Sequence, residues 1–411
     1  MSTREPSEIP LPNFGALFGL LFGLVFCLGS LRFSANLFDP FIPWENRPTT
    51  LAVGLMVAAG MFYLFAVQLI TKIRLPKIGF QWLLILGLLL RILWFNSTPI
   101  NEDDSYRYFW DGALTYQGLS PYTHAPSDAL PVALPMTDFL GITTTDPRLD
   151  LIANEGFVER VPYPDIQTIY PPVTQLFFFI HHLLAPWDLD VWRAMLLIVD
   201  ATTLLLLLKL LTALKKSRAL VMIYWLNPLL ITETMNAGHM DVLLLPFLVA
   251  TVLLMIRHQH FWATLCLVVA AGIKLWPIIL LPFVLLAWRR YNPQNLVRFL
   301  LQTALLIAVG CLIMLPQIVG SVAPTSGIVV YSESWQTNAF LFELIKSGFE
   351  TFADIDADLL SRCSVVLCLA AFGLFRFRTR FLCRTRSRQS KTSHQDLLAL
   401  TACLFFLSPT G

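Results

Sequence analysis

Long apolar runs broken by short charged segments dominate the chain, and their lengths set its architecture. Residues 14 to 31 and 51 to 70 each hold enough apolar positions to cross a hydrocarbon layer of roughly 30 Å at about 1.5 Å per helical residue. Runs at 79 to 95, 191 to 213, 219 to 234, 241 to 256, 261 to 274, 276 to 288, 299 to 320, 361 to 375 and 396 to 407 follow. The pattern predicts an all-α polytopic membrane protein of about eleven transmembrane helices. One further run, 171 to 186 (PPVTQLFFFIHHLLAP), is short and bracketed by prolines.

Charge between the runs orients them. Lys72, Arg74 and Lys77 lie between the second and third runs. Cytoplasmic loops collect Lys and Arg, so this loop and the N-terminus are placed in the cytoplasm and the third run exits on the opposite face. The stretch 98 to 170 carries eleven acidic residues against three arginines, as a translocated loop would. If Lys215, Lys216 and Arg218 are cytoplasmic, one complete crossing separates them from that loop. The run 191 to 213 takes it, and 171 to 186 is read as a re-entrant or surface-lying segment, its backbone covered by protein or facing a cavity. Arg257, Arg289, Arg290 and the basic tail from Arg376 to Lys391 then also fall in the cytoplasm. On this map 101 to 126, 236 to 241, Lys274 and 331 to 338 emerge on one extracytoplasmic face. The chain is treated as a single transmembrane domain over 1 to 411: 14 to 95 form the first three spans, 96 to 190 the extracytoplasmic loop, and 191 to 411 the remaining spans.

Composition refines this picture mainly by exclusion. With 56% hydrophobic and 14% charged residues and a mean hydropathy of +0.65, the chain is not a soluble globular domain. A net charge of +2 points to no nucleic-acid partner, and the basic tail reads as a solvated loop against lipid phosphates. The seven cysteines form no CxxC pair, which argues against a metal cluster or disulfide framework. Arg4 is accompanied by Glu5 and Glu8, and no small-residue cleavage site follows the first run. That run is therefore read as a retained anchor.

The densest polar and aromatic island is 101 to 126, NEDDSYRYFWDGALTYQGLSPYTHAP. Asp104, Arg107, Tyr108 and Asp111 fall at i, i+3, i+4 and i+7, on one face of a helix, while Tyr106, Trp110, Ala113 and Leu114 take the other. Such a helix would lie along the membrane interface, its aromatic face on lipid and its charged face in a cavity. Gly112, Gly118 and Ser120-Pro121-Tyr122 would end it and turn the chain. The simpler reading is that Asn101, Asp103 or Asp104 caps the helix and Arg107 forms a surface ion pair. A cap requires one carboxylate, however, and Glu102, Asp103 and Asp104 stand together.

Other candidates lie further along. Lys274 sits in the apolar run VVAAGIKLWPIILLPF, where an unpaired ammonium at a helix centre costs about 2.5–3.5 kcal/mol. Snorkelling or a structural ion pair is the alternative to a ligand role. His239 and Asp241 either face a ligand or cap the helix that follows. Tyr170-Pro171-Pro172 reads as a rigid helix start. Trp335 and Asn338 suit stacking on and hydrogen bonding a sugar, and equally an interfacial aromatic belt. The three adjacent carboxylates also offer oxygen ligands to Mg²⁺ or Mn²⁺; no metal is assigned.

The string D-x-Y-R-Y-x-W-D-G from Asp104, followed by G-L-S-P-Y and I-Y-P-P, resembles the first outer loop of GT-C glycosyltransferases that use polyprenyl-phosphate sugars. W-L-N-P-L at 225 to 229, N-A-G-H-M-D at 236 to 241, G-I-K-L-W-P at 272 to 277 and W-Q-T-N-A-F-L-F at 335 to 342 extend the likeness. The chain is similar to bacterial polyprenol-phosphomannose-dependent mannosyltransferases and, more distantly, to the catalytic subunit of glycosylphosphatidylinositol mannosyltransferase I.

The resemblance implies a GT-C bundle whose first loop is catalytic. It further implies inverting transfer of a hexose, mannose first, from a polyprenyl phosphate to a lipid or glycan acceptor. Asp104 is the first choice for general base, then Asp103, then Glu102. Arg107, His239 and Lys274 are candidates to hold the donor phosphate, with Tyr108, Asp111, Asp241, Trp335 and Asn338 as further substrate contacts. In a bacterium this would be a multi-pass inner-membrane enzyme acting on the extracytoplasmic face among membrane lipids. No Walker loop or GxGxxG precedes a helix, so a nucleotide-sugar donor is not indicated. A secondary transporter or flippase for a lipid or sugar is the alternative, but inverted repeats and paired broken helices are not visible. Relatives of this type continue beyond the position of Gly411, so a truncated copy is one expectation.

Overall fold

The computed structural model describes residues 14–39, 42–73, 75–101, 103–129, 160–321, 326–334, 340–352, 357, 359–365, 367, 368 and 371. Among these residues the regular structure is helical and no strand occurs. Phe14–Phe38, Thr49–Lys72, Leu189–Ala213 and Leu296–Gly320 are long and apolar enough to cross a membrane. The pair Pro228–Asn236 and Met240–Ile256, bent by 108°, makes a fifth if it is one broken crossing. The other expected crossings are shorter: helix Lys77–Ile92 has 16 residues and helix His260–Ile273 has 14. The run 276 to 288 is a 3₁₀ turn, Trp276–Leu280, leading into helix Leu281–Tyr291. The run 361 to 375 lies in part, and 396 to 407 wholly, outside the described residues. Helix Pro172–Leu184 has 13 residues, about 20 Å of rise and less than the hydrocarbon thickness.

The run expected at 219 to 234 is broken for a local reason. Pro228 has no N–H to donate, and the Asn227 side chain accepts from the backbone N–H of Leu229 and Leu230, so a new helical turn starts at Pro228. That turn passes into a π-helical turn, Thr232–Asn236. Gly238 then takes a φ of +70°, which a side chain would resist. A Cβ there would also stand 3.1 Å from Leu189 and 3.3 Å from Trp192.

The chain divides into two compact units, residues 1–109 with 181–246, and residues 110–180 with 247–411. In the first, helices Phe14–Ser34 and Thr49–Lys72 pack along one another. The Arg32 guanidinium donates to the carbonyls of Leu93 and Asn96, and the Tyr63 hydroxyl to the carbonyl of Ile223. Gly87 leaves room for an indole: a Cβ there would be 2.2 Å from Trp225 Nε1, which donates to the Leu84 carbonyl. Beside it lies a buried ionic knot. Arg91 pairs with Asp200, donates to the carbonyls of Gly87 and Trp225, and lies 3.6 Å over the Trp225 ring. The Tyr224 hydroxyl donates to the other Asp200 oxygen.

The second unit is built around Met255, Ala263, Leu267, Leu280, Phe283 and Val284. The Thr174 hydroxyl donates to the Ile273 carbonyl at 2.7 Å, and Gly272 lets Val173 approach. An apolar cavity of about 290 Å³, lined by residues such as Leu267, Ala271, Leu285, Ile307 and Met314, lies among these helices.

Candidate active site

Helix Ser105–Tyr116 forms where the i, i+3, i+4, i+7 pattern predicts it. The Asp104 carbonyl accepts from the amides of Arg107 and Tyr108, and Gly118, with a φ of +74°, ends the helix as the Leu119 amide returns to the Leu114 carbonyl. Its aromatic side does not rest on lipid, as expected from the pattern. Trp110 and Leu114 are fully buried in the protein and Tyr106 is half-buried. Large rings gain most from complete removal from water, and the protein interior supplies that here.

Upstream of this helix the loop 97 to 101 is fastened to the π-helical turn. Buried Asn236 accepts from the Ile100 amide at 2.9 Å and donates to the Thr98 carbonyl at 2.8 Å. Buried Arg193 donates to the carbonyls of Ser97 and Asn236, both at 2.7 Å, and Trp192 donates to the Gly238 carbonyl. Asn236 thus satisfies backbone groups that would otherwise be costly to leave unpaired. The motif N-A-G-H is first a clamp.

That clamp brings three of the expected residues together. His239 precedes the 3₁₀ turn Met240–Leu244, and its ring makes no cap to it. His239 Nε2 lies 3.8 Å from an Asp104 carboxylate oxygen, and Nδ1 lies 3.7 Å from Asp241. These distances exceed a hydrogen bond. The side chains are 22%, 34% and 43% exposed for His239, Asp104 and Asp241, so the group is reachable from outside. Asp103 is on the exposed rim. Partial desolvation pushes its carboxyl above the usual range, the Asp104 charge adds to this, and Arg47 opposes it. Glu233, which the sequence reading passed over inside an apolar run, is also here. Asn101, His239 and Asp241 lie within its electrostatic reach, and its carbonyl accepts from the His239 amide at 2.9 Å.

The remaining candidates have other placements. Arg107 and Tyr108 are buried, the Tyr108 ring 5.8 Å from Trp192. Asp111, in the second unit, is fully buried, and accepts from the Thr168 hydroxyl and from the Gln175 amide at 2.8 Å. The Tyr122 hydroxyl donates to the Tyr170 carbonyl, so S-P-Y and I-Y-P-P are held together around Asp111 as one structural unit. Lys274, also in the second unit, does not sit at a helix centre. It is half-buried and extended, in the break after helix His260–Ile273. Glu102, Trp335 and Asn338 lie outside the described residues. Among the described residues no group of three or more His, Cys, Asp or Glu side chains is arranged to hold a metal ion.

A carboxylate reachable from outside can take a proton from a hydroxyl, and an imidazole N–H beside it can donate to an adjacent anion. A family model, glycosyltransferase family 87, matches residues 168–409. The chain belongs to glycosyltransferase family 87. No curated protein and no solved structure matches it. For this family 87 member the matched region contains Glu233, His239, Asp241 and Lys274, whereas Asp103 and Asp104 precede it. With its apolar helices, the protein is a membrane glycosyltransferase.

Proposed function

We propose that this family 87 enzyme transfers a hexose, mannose first, from a polyprenyl-phosphate donor to a lipid or glycan hydroxyl on the extracytoplasmic face of a GT-C type bundle. The arrangement that carries this reading is Asp104 facing His239 at 3.8 Å at the start of the buried-helix loop, with Asp241 on the other ring nitrogen. The motif resemblance supports the lipid-linked donor. In the reaction, the acceptor oxygen bonds to the anomeric carbon while its proton passes to the Asp104 carboxylate. The bond from that carbon to the phosphate oxygen breaks on the opposite side, and polyprenyl phosphate leaves with the electron pair. One displacement gives inversion. His239, with Arg107, is assigned to the phosphate charge.

Purified protein in lipid, given a radiolabelled polyprenyl-phosphate hexose and acceptor lipid, should yield labelled glycolipid of inverted anomeric configuration. Counterflow of free sugar without glycolipid would favour a transporter instead, and label transfer from a nucleotide sugar alone would contradict the donor class.

A further inference from the structure

Helix Leu189–Ala213 meets the site at its first turn. The Asp188 side chain caps it, accepting from the amides of Asp190 and Val191, and so sets Asp190 and Arg193, at i and i+3, on one side of the helix. Both Asp190 carboxylate oxygens stand 2.9 Å from the amide of Asn96, which has a φ of +53° where the chain leaves helix Lys77–Ile92. Arg193 bonds Asp190 through Nη1 at 2.9 Å, and its Nη2 donates to the carbonyls of Ser97 and Asn236, both at 2.7 Å. Ser97 begins the loop that leads to Asp104, and Asn236 lies just before His239. One guanidinium nitrogen therefore ties the approach to the carboxylate to the approach to the imidazole. Trp192 adds a 2.7 Å bond to the carbonyl of Gly238, the residue before His239.

Arg193 is 1% exposed, in a helix long and apolar enough to span a membrane, where a buried cation is costly. Its ion pair is a weak reason for that cost, because Asp190 is 39% exposed and a pair open to water contributes little. The buried end instead supplies a planar fork that reaches a carboxylate and two backbone carbonyls at once. We propose that Arg193 is a positioning residue for the transfer reaction: by bonding the Ser97 and Asn236 carbonyls from one nitrogen it sets the separation of Asp104 and His239. The kinetic consequence rests on the transferase reading, and the structural one does not.

Arg193→Met keeps an unbranched apolar stem and removes every donor. Hydrogen exchange should quicken about tenfold or more in both segments that the fork joins, amides 97 to 101 and 236 to 241, while the second half of helix Leu189–Ala213 exchanges as in wild type. Arg193→Lys serves if the Met variant does not fold. Its side chain is one atom shorter and has no fork, so both segments should again exchange faster, by a smaller factor. In the transfer assay kcat per folded molecule should fall about tenfold or more in Arg193→Met, and Arg193→Lys should recover part of it. A merely structural residue would lower Tm and the folded fraction and leave kcat per folded molecule unchanged. Wild-type exchange in either segment of folded Arg193→Met, or of Arg193→Lys in its place, would overturn the proposal, as would unchanged kcat per folded molecule in an active variant. Absence of transfer in the wild-type protein would overturn the functional reading alone and leave the exchange result to decide this one.

Discussion

Two groups of charges in the first unit are made from similar side chains and serve opposite ends. Arg91 and Asp200 are 0% and 1% exposed and in direct contact, and they bond further to Tyr224 and to the carbonyls of Gly87 and Trp225. Asp104, His239 and Asp241 are partly exposed and stand 3.7–3.8 Å apart. The first group is sealed inside the protein and bonded to it through Arg91 Nε and Nη1 and both Asp200 oxygens. In the second, the ring nitrogens and carboxylate oxygens are close enough to feel one another's charge, and the side chains are reachable from outside. Buried charge is tolerated only when paired, so a directly paired, buried group marks a structural knot, and charges gathered where solvent reaches them mark a place for chemistry.

Breaking the knot should have the largest effect. Arg91→Leu leaves Asp200 buried without its cation and should cost about 3–5 kcal/mol of stability, seen as loss of folded protein or a large fall in Tm. The double variant Arg91→Leu/Asp200→Leu should regain part of it, which a merely additive pair would not. Asn236→Ala strands the Ile100 amide and the Thr98 carbonyl and should cost about 1–3 kcal/mol, with transfer falling as well because the acidic loop loosens. A thermal melt and an activity assay on one sample check both. His239→Gln lies on the open side of the comparison. It should leave Tm unchanged while kcat/KM drops about tenfold, or about 1.4 kcal/mol.

The smallest effect concerns Asp103. Its carboxyl is pushed upward by desolvation, so the ionised form opposes folding. The penalty is absent below the unfolded-state pKa, appears as pH rises from there through the folded value, and is complete above it. Asp103→Asn should therefore raise Tm slightly at neutral pH and not in acid, as melts across that range would report.

Much of the frame was legible from periodicity. The runs 14 to 31, 51 to 70, 191 to 213 and 299 to 320 lie within long apolar helices, and a helix follows Asp104 as predicted, although it runs through Gly112, a residue expected to help end it. What periodicity hides is who partners whom. Arg91 and Asp200 are 109 positions apart, and nothing local to either names the other. Their isolation in apolar runs was the available signal, as it was for Glu233. The apolar content of 219 to 234 masked the break that Asn227 and Pro228 impose. Lys274 stood out as costly only on the assumption of an unbroken helix, and the break at its position removes that premise. The helix faces misled for a related reason: aromatic residues suit lipid and protein interior alike, and only packing distinguishes them.

The most direct measurement compares kcat and Tm for wild type and Asp104→Asn with the lipid-linked donor. Removing the base while keeping the shape should lower kcat at least about a hundredfold and leave Tm unchanged. Transfer within twofold of wild type in a fully folded Asp104→Asn protein would contradict the account.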